Sequence, residues 1–350
     1  MVPGRFAGAV RLRDRRVFRY AANELRLRRP HRDRASGEVR RDVLRRVPGL
    51  HLGEDRVKGI LLARKQSKRM KAAICTGFDY SIAFPQVIPM IREAGFEVVA
   101  LGARPEHSGY ATADGRDKIR GLLRLHGMTI DSVHAPFPEG DRLFSLDQSE
   151  RGESIRQGQV AIDAAEELEG RMVVLHLIQP YDIPHGEVRD RMIEAGRRSV
   201  AALADYADRR GVRVALENGQ KPDYDEVLAG LLAEFTGAHI GFCYDSGHEH
   251  VQGTCFGMLQ TFGHRLFTTH IHDNKGADTH VLPYEGTIDW EQFRTVFHGL
   301  DYTGNLLLET DIANSEFKVP SLFLSRAREC AEWLLRSASK VTHQESVEAA

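Results

Sequence analysis

No apolar run in this sequence approaches the roughly 20 residues that cross a bilayer, and the N-terminus carries arginines without the apolar stretch of a secretory leader. The expectation is a chain without membrane segments and with a cytoplasmic address. Cysteine is scarce: Cys75, Cys243, Cys255 and Cys330 stand apart, with no C-x-x-C pair. Such spacing fits a reducing compartment, argues against a thiolate metal centre and leaves all four as small core residues. The glycine-rich fingerprint of dinucleotide-binding sheets is also missing, because Thr76-Gly77-Phe78-Asp79 follows the first apolar run instead.

What the chain does have is a charge asymmetry hidden by a net charge of -1. Residues 1–69 hold 21 Lys+Arg against 7 Asp+Glu, whereas residues 70–350 hold 27 against 42. The first segment has no helical or strand period. It reads as a basic, disordered or loosely helical extension, or an incorrectly assigned start, rather than as an arm for nucleic acid. Residues 70–340 read as the folded domain, and 341–350 as a disordered tail.

From Met70 onward, short Val/Ile/Leu runs alternate with amphipathic stretches, the pattern of βα units around a parallel sheet. The strands are expected at Lys71–Thr76, Glu97–Leu101, Thr129–His134, Met172–Leu177, Arg213–Glu217, Ile240–Asp245, Leu266–His272 and Asn305–Glu309. Eight helices are expected between and after them, from Phe84–Ala94 to Leu322–Ser337. The count and size predict an α/β fold, a closed (β/α)8 TIM barrel, with an open doubly wound sheet as the alternative.

Reacting groups of such barrels lie at the C-terminal ends of the strands. Here the strand ends and following loops carry His134, His176, Glu217, Asp245, His248, His270, His272, Asp278, His280 and Glu309. One histidine or glutamate at a strand end is commonplace. Several buried carboxylates in one place need a cation, and a mixed carboxylate and imidazole set without thiolates suits Mn²⁺, Mg²⁺, Co²⁺ or Zn²⁺.

The stretches ALENG (215–219), CYDSGH (243–248), HIHDNKGADTH (270–280), YEGTIDW (284–290) and LLLE (306–309) resemble the xylose-isomerase-like superfamily over about residues 70–340. That superfamily holds sugar and sugar-phosphate isomerases and epimerases, inosose dehydratases and endonuclease IV-type apurinic-site nucleases. The resemblance to its epimerases implies one divalent ion (Mn, Mg or Co) on Glu217, Asp245, His270 and Glu309, with Glu217 and Glu309 catalytic and His248, His134 and His176 on the substrate side. Asp278 and His280 would support those ligands or bind metal themselves. In the nuclease branch the same positions would hold three zinc ions.

Two departures bear on the choice. His272 stands where the nucleases usually have Asn, and strand two ends Val98-Val99-Ala100-Leu101-Gly102, without the acid of many sugar isomerases; Glu106 or His107 is the expected substitute. The acidic barrel disfavours DNA as partner. The leading expectation is a metal-dependent sugar isomerase or epimerase that abstracts a proton next to a carbonyl through a metal-stabilised enediolate. The alternatives are a zinc phosphodiesterase on abasic DNA, an inosose-type dehydratase and an inert sugar-binding barrel. The partner is a small polyhydroxylated substrate, and homodimer formation is the base-rate expectation. Phe78, Phe137 and Tyr181 are expected as aromatic pocket walls, Asp273 as a loop cap, and Trp290 at the start of the seventh helix.

Overall fold

The apolar runs become strands because they are short, rich in Val, Ile, Leu and Ala, and bounded by loops. In a computed structural model, which describes residues 70–177 and 185–336, the strands are β1 (Ala72–Cys75), β2 (Val98–Leu101), β3 (Thr129–His134), β4 (Met172–Leu175), β5 (Arg213–Glu217), β6 (Ile240–Asp245), β7 (Leu266–His270) and β8 (Leu306–Leu308). The expected basic extension 1–69, Tyr181 and the tail 341–350 lie outside the described residues.

The α-helices among the described residues are α1 (Phe84–Glu93), α2 (Pro105–Ser108), α3 (Ala113–His126), α4 (Gln148–Glu167), α5 (Glu187–Asp208), α6 (Pro222–Glu234), α7 (Ser246–Val251), α8 (Gly257–Phe262), α9 (Trp290–His298) and α10 (Pro320–Leu335). Local chemistry sets their starts: Thr112, Asp147 and Asp289 cap α3, α4 and α9 through side-chain oxygens, and Pro stands in the first turn of α1, α2, α6 and α10. The short helices α2 and α7 were not expected, since neither is long enough to show a period.

All strand pairs are parallel, in the order β7-β6-β5-β4-β3-β2-β1-β8. Backbone bonds close the ring between β7 and β8: Ile271 N–H donates to Leu307 O (2.9 Å) and Glu309 N–H to Ile271 O (3.1 Å). The eight-stranded barrel of the sequence analysis is therefore present, with regular pairing on β7 ending at His270 rather than His272.

Alternation along the strands sorts side chains between two layers. Ile74, Val99, Val173, Leu216, Phe242 and Leu308 pack with the helices in one large core. Ala73, Val98, Ala100 and Leu307 form a separate small cluster, as do Met172, Val174, Ala215 and Cys243. These small clusters fill the barrel interior. Near its base, Asp131 accepts hydrogen bonds from Thr268 Oγ1 (2.9 Å) and Asn305 Nδ2 (2.8 Å), which joins β3 to the opposite side of the ring. Burial pushes the Asp131 carboxyl upward, only partly offset by those bonds.

Candidate active site

The same alternation builds the site. Two residues beyond the interior-facing Val174, Ala215, Cys243 and Leu307 come His176, Glu217, Asp245 and Glu309. Thr268 faces inward against Asp131, so the period of two brings His270 and then His272 to the same mouth. His272 is thus on the inner face with His270, and no bulge separates them.

Glu217 stands at the centre and is fully enclosed. Its Oε1 lies 3.0 Å from His270 Nδ1, which is also 2.9 Å from Glu309 Oε2. Its Oε2 faces His176 Nε2 at 3.2 Å and His134 Nε2 at 3.5 Å but has no hydrogen-bond partner. Beside it, Asp245 caps α7 by accepting the His248 N–H on Oδ1 (2.6 Å), and its Oδ2 meets His272 Nε2 at 3.0 Å. A further group gathers on Asp278, whose Oδ2 lies 3.5 Å from His248 Nε2 and whose Oδ1 lies 3.3 Å from His280 Nε2. Groups able to hold a metal ion therefore fall into two sets that share Glu217 and His270, Glu217/Asp245/His270/Glu309 and His134/Glu217/His270, and a separate set, His248/Asp278/His280.

The outer nitrogens explain how the rings are aimed. His134 Nδ1 bonds Ala135 O (2.7 Å), His248 Nδ1 bonds Asn218 O (2.8 Å) and His280 Nδ1 bonds Glu309 O (2.8 Å). A carbonyl only accepts, so each Nδ1 carries the proton and a neutral ring turns the lone pair of Nε2 inward. That lone pair then faces a carboxylate oxygen in all three cases. Two acceptors at such distances require a proton or a cation between them. His176 differs, since its Nδ1 meets the Asp141 carboxylate at 3.2 Å.

Without a cation the electrostatics settle on imidazolium and carboxylate. Burial opposes charging His176 and His248, but Asp141 and Glu217 around the first, and Asp245 and Asp278 around the second, raise both well above the ordinary histidine value. Burial likewise opposes ionising Glu217 and Glu309; His270 outweighs it and holds both low, with help from His176 at Glu217. His280 is pushed up to about 9 as Asp278 overcomes its burial.

The structure brings together the carboxylates and histidines of the strand ends: Glu217, Asp245, His270 and Glu309 as one set, His134 and His176 on its Glu217 side, and His248, Asp278 and His280 adjoining. Asp273 caps its loop, accepting from Asn274 N, Ile288 N, Tyr284 N and Trp290 Nε1, and Trp290 begins α9 as expected. Glu106, one of the two substitutes expected after strand two, is exposed on α2. Three expectations need correction. His107 does not reach the cluster, because its Nε2 bonds Ile82 O (2.8 Å) and its ring packs on Tyr80 and Phe84. Phe78 is no pocket wall; it is fully buried against Phe323. Cys255 is exposed, unlike the three buried cysteines.

Sequence reasoning missed the residues that hold the ligands. Asp141 comes from the turn Glu139–Asp141 after β3, where no strand-end rule applies. Asn218 brackets the backbone of Asp245, accepting from its N–H (2.7 Å) and donating to its O (2.9 Å). Gln220 donates to Asp278 Oδ2 (2.7 Å). The last two lie one and three residues after Glu217 in sequence, which is the only signal they give.

A family model described as Xylose isomerase-like TIM barrel matches residues 88–334. The chain belongs to this family. Among its relatives is y4fM, an uncharacterized protein of Sinorhizobium fredii, 30% identical over 249 residues that cover 64% of this chain and 79% of the relative. Among solved xylose isomerase-like barrels, D-psicose 3-epimerase of Clostridium cellulolyticum H10, with D-tagatose, aligns over 76% of this chain and 99% of its own at 15% identity and TM-score 0.64. The IOLI protein, solved with a bound zinc atom, aligns over 76% and 98% at 16% identity and TM-score 0.64. At these identities the two structures speak for the fold. No helix among the described residues is long and apolar enough to cross a membrane.

Proposed function

We propose that the protein is a divalent-metal-dependent isomerase or epimerase of a small polyhydroxylated compound, moving a proton at the carbon beside a carbonyl. The observation that carries this reading is the convergence of two carboxylates on one point, Glu217 at 3.0 Å and Glu309 at 2.9 Å from His270 Nδ1. Carboxylates so placed can serve one carbon as acid and base, one taking the proton and the other returning it.

The donor set fits a metal ion. Glu217 Oε2 and Asp278 Oδ1 are buried without hydrogen-bond partners, and oxygen and imidazole donors suit Mn²⁺, Mg²⁺, Co²⁺ or Zn²⁺. Glu217, Asp245, His270 and Glu309 would hold it. When bound, such an ion polarises a carbonyl and acidifies the neighbouring C–H. His248, steadied by Asn218 O, turns Nε2 toward a substrate oxygen, while His134 and His176 line the pocket. Structurally similar proteins, a D-psicose 3-epimerase and an L-ribulose 3-epimerase, agree with sugar chemistry.

A second reading, phosphodiester hydrolysis with several zinc ions, is favoured by the imidazoles of His134 and His176 at the outer oxygen of Glu217 and by the adjoining His248/Asp278/His280 group. Against it stands the excess of 42 acidic over 27 basic residues in 70–350, since a grip on DNA neutralises several phosphates.

Solvent-deuterium incorporation, followed by NMR across a panel of ketoses and aldoses, tests the proposal. Exchange at the carbon beside the carbonyl is expected, with the label retained in an isomerised product that has lost no water. A dehydrated product would instead mark a lyase. Absence of exchange with every sugar, together with cleavage of an abasic oligonucleotide, would replace the proposal by the second reading.

A further inference from the structure

Beside the cluster, between the loops after β2 and β3, lies a groove of about 600 Å³ whose walls among the described residues include Arg104, Glu106, Tyr110, Phe137, Pro138 and Gln157. It adjoins the site at two places. The Phe137 ring lies 5.2 Å from that of His176, and Tyr110 donates its hydroxyl to His134 O at 2.9 Å. A volume in this range suffices for a ligand unit of its own.

The chemistry of the walls specifies that unit. Phe137 is 38% exposed, a large apolar surface at the mouth of a polar site, and its loop is held by the bond from Phe137 N to Ala103 O (3.2 Å). Pro105, Pro136 and Pro138 continue the apolar wall. Arg104 stacks its guanidinium on Tyr80, 4.4 Å from the ring centroid, and has no carboxylate within ion-pair distance among the described residues. Stacking occupies a face of that group and leaves its N–H edges as donors. Gln157 gives its Nε2 to Glu153 (3.0 Å) and keeps its Oε1 buried, so the acceptor on this wall is the carboxylate of the exposed Glu106.

Donors and acceptors side by side match vicinal hydroxyls, each of which both donates and accepts. A phosphate would meet Arg104 but be repelled by Glu106, and the other arginine of the wall, Arg156, is already paired with Glu153 (2.8 Å). An aromatic ring with free surface suits the C–H face of a pyranose. We infer that the substrate is a glycoside: the reacting sugar sits at the carboxylate and imidazole cluster, and a second sugar ring lies on Phe137 with its hydroxyls on Arg104 and Glu106. This rests on the sugar chemistry proposed above.

Titration calorimetry on the full chain as purified, with D-fructose and with a glucosyl-fructose disaccharide whose ketose end is free, tests it. The disaccharide is expected to bind about tenfold tighter or better, an increment of about 1.4 kcal/mol. Phe137→Ala and Arg104→Ala should each reduce that advantage; Arg104→Ala, at an exposed position stacked on Tyr80, should leave D-fructose affinity unchanged, whereas Glu217→Gln should weaken both sugars. D-fructose binding with no gain for the disaccharide, or equal losses for both sugars in Arg104→Ala, would overturn the groove inference and leave the sugar reading standing. Failure of the wild-type chain to bind either sugar would overturn both.

Discussion

Glu217 and Glu309, 92 residues apart in sequence, meet on a single nitrogen: His270 Nδ1 lies 3.0 Å from Oε1 of the first and 2.9 Å from Oε2 of the second. Parallel strands from opposite parts of the chain, β5 and β8, place them there. Neither carboxylate alone would distinguish a metal holder from a proton carrier; their convergence on one point permits both duties.

Replacing either by glutamine keeps the shape and removes the base. Glu217→Gln and Glu309→Gln should each lower turnover by roughly 10²–10⁴-fold, the usual worth of a positioned acid or base. Deuterium wash-in measures it. Retention of near wild-type exchange in either variant would remove that residue from the chemistry.

Asp141 fixes His176 from behind at 3.2 Å, a carboxylate at the Nδ1 position where His134, His248 and His280 meet carbonyls. As His176 lines the pocket and is outside the proposed metal set, Asp141→Asn should lower turnover while leaving metal retention, measured by competition with a chelator, unchanged. A loss of about 10–100-fold in metal retention would make His176 a ligand.

How far the sequence carries this site follows from how local each signal is. Alternation is a two-residue rule, so Glu217, Asp245, His270 and Glu309 are legible at strand ends, and the repeated apolar runs disclose the barrel. Asp141 reaches His176 only after its loop folds back across the barrel mouth, which no local pattern reports. Phe78 looked like a rim residue because it follows β1, but the tight turn Thr76–Phe78 directs it onto Phe323 in the helical layer. His107, in the short helix α2 after β2, is claimed by Ile82 O.

Gly247 is close-packed against His272: a Cβ there would stand 1.9 Å from His272 Cε1. Gly247→Ala should therefore displace the ring that contacts Asp245 and stacks on His280 at 3.8 Å, costing about 1–3 kcal/mol in urea unfolding and loosening metal binding as well. Unchanged stability would show that the ring shifts freely.

Asp225 gives a pH dependence apart from the cluster. It accepts Gly219 N–H (2.9 Å) and Gln252 Nε2 (2.8 Å), and burial, only partly offset by these bonds, pushes its carboxyl from 3.8 up to about 6. The folded state then holds this proton more tightly than the unfolded chain, so the contribution favours folding below about pH 4 and is lost as pH rises through 6. Relative to Asp225→Asn, the wild type should lose on the order of 1–3 kcal/mol between pH 4 and 7, read from urea midpoints. Parallel pH profiles would contradict the assignment.

The most direct test of a metal-dependent sugar enzyme at these residues is elemental mass spectrometry of the purified chain beside its Glu217→Gln and His134→Ala variants. About one Mn, Mg or Co per chain, lost in the Glu217 variant and kept in the His134 variant, is the expected result. Two or three zinc ions per chain, lost in both variants, would contradict it in favour of phosphodiester chemistry, and a chain free of divalent metal would contradict both.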